Sequence, residues 1–170
     1  MKVLQLKNAV DGFATIDFSS IDMDLVLKTG DLSLVAGKSF QWNKDSGQAI
    51  SDCPFFIGAM PIFDTEKLGS ALNNTQAKTA TFEVEGKSFT IVAAPQFKGQ
   101  IINLMKSDCR TFRSGKIMTV NKYVFNKNIQ YPDIFTPSEF VMFTFCNTEI
   151  AQRLLACRFN QLEFTECPTE

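Results

Sequence analysis

Apolar positions along this chain fall into short blocks with two different periods. The densest block runs from Tyr131 to Glu166. After a lead-in at Pro132-Asp133-Ile134-Phe135, Phe140 to Phe145 predicts a strand, and Asn147-Thr148-Glu149 marks a helix start. Ile150, Leu154, Leu155 and Phe159 then share one helical face, which predicts a helix over 148–158, and Leu162 and Phe164 predict a closing strand. The tail from Cys167 to Glu170 is expected to fray. A shorter echo lies between Cys53 and Val84. Pro61-Ile62-Phe63 gives the approach, Asp64-Thr65-Glu66 the cap, and Leu68, Ala71 and Leu72 the stripe of a helix over 65–73, ended by Asn73-Asn74.

The remaining blocks alternate. Lys2 to Phe18 predicts a hairpin around Asp11-Gly12, with the lysine-bearing first strand at a sheet edge, so residues 1–36 form an N-terminal hairpin region. Ile21, Met23, Leu25 and Leu27 recur at period two and predict a strand, with Leu32 to Val35 pairing back. Asn43 to Gln48 reads as a surface loop anchored by Trp42. Phe82 and Val84, then Phe89, Ile91 and Ala93, make the clearest hairpin, turning at Glu85-Gly86-Lys87. Lys116 to Phe125 is apolar on both faces, which predicts a central strand. Together these blocks predict one α+β domain over 1–170. It is a mostly antiparallel sheet carrying two short similar helices, with similar loop-strand-helix-strand units at 37–94 and 116–166.

Composition narrows the function classes. The 170 residues are 45% hydrophobic, with 17 phenylalanines, enough for a sizeable aromatic core. The balance of 17 basic against 18 acidic residues gives no footprint for nucleic acid or an anionic membrane. No histidine is present, which removes Ser-His-Asp and Cys-His nucleophile activation and His-ligated metals. The five cysteines, Cys53, Cys109, Cys146, Cys157 and Cys167, are scattered, lack any C-x-x-C pair, and suit free thiols in a reducing compartment. The first residues, MKVLQLKNAVDGF, lack a sustained apolar core for a secretory signal. No apolar run is long enough to span a bilayer. A cytoplasmic protein without cofactor or metal is the expectation.

Three groups of residues are candidates for chemistry or recognition. Lys106, Asp108, Cys109 and Arg110 with Arg113 place a thiol beside basic groups, the setting of a nucleophile. The alternative is a polar loop. Asp133, Glu139 and Glu149 could pair as carboxylates, although Glu149 already serves a helix start. Trp42, Phe55, Phe56, Phe135 and Phe140, with Asp133 and Glu139 beside them, could form a protein-binding face, against the alternative that the aromatics pack inside. Adjacent Phe55 and Phe56 cannot both face inward on a strand, so one of them is expected at a surface.

The repeated proline-aromatic approach, apolar strand and capped leucine helix, together with R-S-G-K-I-x-x-x-x-K-Y-V-F at 113–125 and P-D-I-F at 132–135, has a further meaning. From Gly37 onward the chain resembles a bacterial family long described only as of unknown function, whose members include immunity proteins of polymorphic toxin systems. Matching segments are Asp133-Ile134-Phe135, Val141 to Phe145, Thr148-Glu149, Leu154-Leu155 and Leu162 to Phe164. The earlier copy matches at Pro54 to Phe56, Pro61 to Phe63, Thr65-Glu66 and Leu68 to Leu72, and G-K-S-F-Q-W at 37–42 sits where the family carries a short G-K motif. The chain departs from the family at Ala156-Cys157-Arg158-Phe159, where a small residue or glycine usually precedes the last strand. The resemblance implies a non-enzymatic binder that blocks a toxin domain, and it carries over no catalytic residue. A small-molecule or peptide binding module is the second reading, and an exposed sheet edge would allow a homodimer.

Overall fold

The computed structural model describes residues 1–9 and 11–170. The strands are β1 (Val3–Asn8), β2 (Thr15–Asp17), β3 (Ser39–Asn43), β4 (Ile62–Asp64), β5 (Lys78–Val84), β6 (Lys87–Ala93), β7 (Gln96–Phe97), β8 (Asp108–Thr111), β9 (Ile117–Lys122), β10 (Ile134–Pro137), β11 (Phe145–Cys146) and β12 (Leu162–Cys167). The helices are α1 (Met23–Thr29), α2 (Thr65–Leu68) and α3 (Thr148–Ala156), with a single 3-10 turn at Leu32–Leu34. The α+β expectation holds. The strands form one sheet in the order β12-β1-β11-β10-β7, a second in the order β2-β3-β5-β6-β4, and a separate two-stranded ribbon, β8-β9. All pairings are antiparallel except β10–β7 and β3–β5.

Side-chain alternation divides the interior into three clusters. In the second sheet, Phe89, Ile91 and Ile62 point into a first cluster with Met23 and Val26 of α1. Their neighbours Val92 and Phe63 point the other way, into a middle cluster. The first sheet closes that middle cluster with Leu6, Ile134 and Cys146. Its alternate residues Val3, Phe135 and Phe145 enter a third cluster beyond it, with Tyr123 and Phe125. The period of two on a strand makes this division unavoidable. It places α1 on the first cluster and the ribbon on the third, with α1 also touching the edge of the first sheet, where Gln96 Nε2 donates to the Lys28 carbonyl at 2.6 Å.

Both expected caps form. Asp64 Oδ1 accepts from the amides of Glu66 and Lys67 at 3.0 and 3.3 Å, and Asn147 Oδ1 accepts from the Ile150 amide at 2.9 Å. Each satisfies donors left free at a helix start. Both helices bury their stripe in the middle cluster, through Leu68 and through Ile150, Ala151 and Leu154. The helix expected over 65–73 is shorter, because Gly69 takes φ 50 and ends it after Leu68. The one expected over 148–158 stops at Ala156.

Several local expectations are corrected. Residues 2–18 are no hairpin, since β1 and β2 belong to different sheets. β1 is no edge, being paired by both β11 and β12. Its Lys2 reaches Glu166 at 2.9 Å instead of guarding an edge. The segment expected as a strand at Ile21 to Leu27 instead enters α1 at Met23, because Asp22 caps the Leu25 amide and Gly30, at φ 67, closes the C-terminus. Only Met23 and Val26 of this segment are fully buried, a spacing of three that suits a helix. Leu32 to Val35 forms the 3-10 turn rather than a returning strand.

Further corrections concern the C-terminal half. Lys116 to Phe125 is not central in a sheet. Its Ile117–Lys122 part pairs only with β8, and its outward residues are exposed. Phe140 to Phe145 reduces to the two-residue β11, the strand content having moved to the lead-in as β10. The tail does not fray. Cys167 is buried, and Phe125 exchanges backbone bonds of 2.9 Å with Pro168 and Glu170.

The chain leaves α3 through Arg158 in the left-handed region, at φ 57. A side chain there costs about 1–2 kcal/mol relative to right-handed backbone. Arg158→Gly should therefore raise the stability of the protein by about 0.5–1 kcal/mol, read as a shift of the urea unfolding midpoint at constant slope. A lower midpoint would show that the arginine side chain stabilises the turn more than its backbone strain costs.

Candidate protein-binding surface

The structure separates the residues expected on a recognition face. Phe55 and Phe135 are buried, Phe55 edge-on to Phe63 in the middle cluster and Phe135 in the third. Neither presents a surface to a partner in this fold. Phe56 leaves its neighbour and packs edge-on to Phe18 against the first cluster, half-buried. The pair Phe55-Phe56 thus divides between two cores, as the alternation of extended backbone allows where Phe56 bridges Met60 across the turn at 57–59. Trp42 anchors β3 as expected, edge-on to Phe89 with ring centroids 5.6 Å apart. Phe140 is half-buried against the third cluster.

The carboxylates have separate structural partners. Asp133 is exposed, and its Oδ1 accepts from Asn147 Nδ2 at 2.7 Å, steadying the residue that caps α3. Glu149 pairs with Arg153 one turn along α3. Glu139 Oε1 accepts from the amides of Ile101 and Ile102 at 3.0 and 2.6 Å. Burial pushes the Glu139 carboxyl up, and the two amide bonds oppose that only in part. No two of the three share a partner. Among the described residues, no three cysteine, aspartate or glutamate side chains gather closely enough to hold a metal ion.

The thiol group of candidates lies on the ribbon. Lys106 pairs with Glu170 at 2.8 Å, Asp108 accepts from Asn121, and Arg110 and Arg113 are exposed. Cys109 is half-buried and its Sγ sits 3.7 Å from the Leu104 carbonyl. The other cysteines are unpaired too. Burial pushes the Cys53 and Cys146 thiols up to about 12, with the Asp52 charge adding to the shift at Cys53. Cys167 is raised to about 11 by burial as well.

Two carboxylates that the sequence did not single out stabilise the scaffold. Asp52 is buried, accepts from the Asn160 amide with both oxygens at 3.1 and 3.0 Å, and takes Lys67 at 2.7 Å. It therefore ties the end of α3 to α2. At Asp64, burial favours the neutral acid, but Lys87 at 2.9 Å and the cap amides outweigh it and hold the carboxyl below its usual range.

The exposed surface that sequence reasoning missed is the ribbon. Leu104, Met105, Phe112 and Met118 are all solvent-exposed, with Met105 at 97% and Phe112 at 51%. Met118 alternates with Ile117, and only the inward residues Ile117 and Val120 pack on the third cluster. The basic residues Arg110, Arg113, Lys116 and Lys122 share this element and, among the described residues, make no ion pair. The signal was available as a run of 98–127 with seven basic residues against one acidic, hidden within the near-zero net charge. No helix among the described residues is long and apolar enough to cross a membrane. No protein-family model matches the chain, and no curated protein matches it either.

Two outcomes are expected here. Glu139 holds its proton to higher pH when folded than when unfolded, so its contribution to stability is lost as pH rises out of the usual glutamate range. Glu139→Gln, which keeps an acceptor oxygen, should abolish that slope without loss of stability at neutral pH. Glu139→Ala strands two amides and should cost about 1–3 kcal/mol, checked by urea unfolding across pH. For the thiols, a neutral-pH thiol reagent should modify Cys109 first and Cys157 next in the native protein. Cys53, Cys146 and Cys167 should react only after unfolding. A buried thiol that reacts as fast as Cys109 would contradict this packing.

Proposed function

We propose that this chain is a non-enzymatic protein-binding domain of the immunity type, which neutralises a bacterial toxin in the cytoplasm by occupying its surface. The observation that carries the reading is a contrast. The carboxylates that looked reactive each have a structural partner: Glu139 the amides of Ile101 and Ile102, Asp133 the Asn147 side chain, and Glu149 the Arg153 guanidinium. The ribbon, by contrast, presents exposed Phe112 and Met118 together with Arg110, Arg113 and Lys116, which make no ion pair among the described residues. A surface that mixes exposed apolar groups with arginines suits recognition of a folded protein.

The resemblance to toxin-immunity proteins supports the same reading. Both strand-to-helix junctions that it names carry the cap, at Asp64-Thr65 and Asn147-Thr148. Where the family usually has glycine or a small residue, this chain has the left-handed Arg158. The second reading, a small-molecule binder, has less behind it. The hollows near Asn8 and near Leu27 have volumes of about 20 Å³, room for about one water each; the larger ones, of about 670 Å³ between α2 and α3 and about 320 Å³ beside α1, lie wide open to solvent, and the one beside Tyr131 and Asp133 holds about 250 Å³. A drug-sized ligand needs about 300 Å³ or more.

The test is co-expression with toxin domains encoded beside this gene. Restored growth in the presence of one of them, with a salt-sensitive complex purified from the same cells, is the expected result. Failure to protect against any of them, when the protein is folded and abundant, would overturn the proposal. A melting temperature raised by a metabolite in a thermal-shift screen would then favour the second reading.

A further inference from the structure

We infer that the ribbon docks on the α1 side of a second copy of this chain, giving a head-to-tail assembly held by complementary charge. The two surfaces carry opposite sign. Segment 98–127 has seven basic residues against one acidic, whereas segment 11–31 has five acidic against one basic. On the ribbon, Arg110, Arg113 and Lys116 surround exposed Phe112 and Met118 and have no ion-pair partner among the described residues. On the α1 side, exposed Asp22 and Asp24 border an open hollow with Ile21 and Phe56. Leu25 is exposed on the same helix.

Ile57, next to Phe56, adds a second observation. It is 58% exposed and sits at φ 46. A β-branched residue in the left-handed region is a strained outlier, and strain of this kind concentrates at working surfaces. Here it holds an isoleucine outward, next in the chain to the Phe56 that lines the hollow beside Asp22 and Asp24.

Among the described residues no ion pair joins the two surfaces within one molecule. α1 packs on the first cluster and the ribbon on the third. Their charges are left to be matched between molecules. Because the two faces differ, the contact is heterologous, and it either closes into a ring or continues as a chain. Apolar side chains on both faces favour a protein occupant over a nucleic-acid backbone. The acidic apolar face present on this chain itself specifies which protein. This contact uses the ribbon that the proposed function gives to a toxin, so self-assembly and toxin binding compete for it, and sedimentation without a toxin reads the first alone.

Sedimentation of the full chain across concentration tests it. In ~0.01 M salt, where the screening length is ~30 Å, the weight-average mass should rise above the monomer's 19.0 kDa. In ~1 M salt, where that length is ~3 Å, it should return to 19.0 kDa. The variant R110E/R113E should lose the association. So should D22N/D24K, in which asparagine preserves the cap of α1. An equimolar mixture of the two variants should recover it, since the acidic ribbon of one then faces the basic helix of the other. Circular dichroism and urea unfolding establish that each variant is folded; should D22N/D24K not fold, D24K alone takes its place in the mixture. A monomer at low salt overturns the inference and leaves the ribbon to a different chain. Association that survives ~1 M salt, or variants that fail to recover on mixing while the parent assembles, also overturns it.

Discussion

The fold depends on both sheets being covered on both faces. Phe63 and Val92 from one sheet, and Leu6, Ile134 and Cys146 from the other, are dry only because they share the middle cluster. Their neighbours along the strands are dry only because α1 and the segment at 101–125 cap the outer faces. An antiparallel sheet often leaves one face in water. Here the inner strands have no such face, and this accounts for the heavy use of phenylalanine. Aromatic contacts run through each cluster, from Phe18 with Phe40 and Phe82 to Phe125 with Phe135 and Phe145. Large rings fill the gap between twisted layers with few residues.

Within that frame the polar groups have defined places. Asp64 and Asn147 end strands and begin helices, Asp52 ties one helix to the exit of another, and Glu139 holds two amides of an outer loop. Such buried or half-buried groups cost free energy unless each is satisfied. Their partners are all supplied by the scaffold. Two buried polar atoms, Asn8 Oδ1 and Tyr123 OH, have no such partner, and the ribbon presents Phe112, Met118, Arg110 and Arg113 to solvent.

How much was legible in the sequence depended on how local the deciding physics was. The caps at Asp64 and Asn147 were readable because a polar side chain and the amides it accepts lie within three residues. The hairpin through Glu85-Gly86 was readable for the same reason, its turn and both its strands being contiguous. Ile21 to Leu27 failed because seven residues are too few to separate a period of two from one of 3.6. Four alternating apolar residues outvoted the Asp22 cap and Gly30, and exposed Leu25 was counted as core. Lys116 to Phe125 was recognised as a strand but misplaced, since nothing local distinguishes an apolar residue facing a sheet from Met118 facing water. The aromatic surface was half legible. Composition marked Phe55, Phe56 and Phe135 as important, but only the tertiary pairing shows that Phe55 and Phe135 are interior.

The place of β1 has a consequence for how the protein is made. Val3–Asn8 pairs with residues 145–146 on one side and 162–167 on the other. At ~5–20 residues per second of synthesis, those partners emerge on the order of ten seconds after β1 itself. Throughout that interval Val3, Leu4 and Leu6 sit on a strand with two open flanks, while the hairpin at 78–93 can already close. The nascent chain therefore carries Val3–Asn8 without its sheet partners until α3 has been made, and a chaperone that shields this strand during translation would aid the fold more than one acting after release.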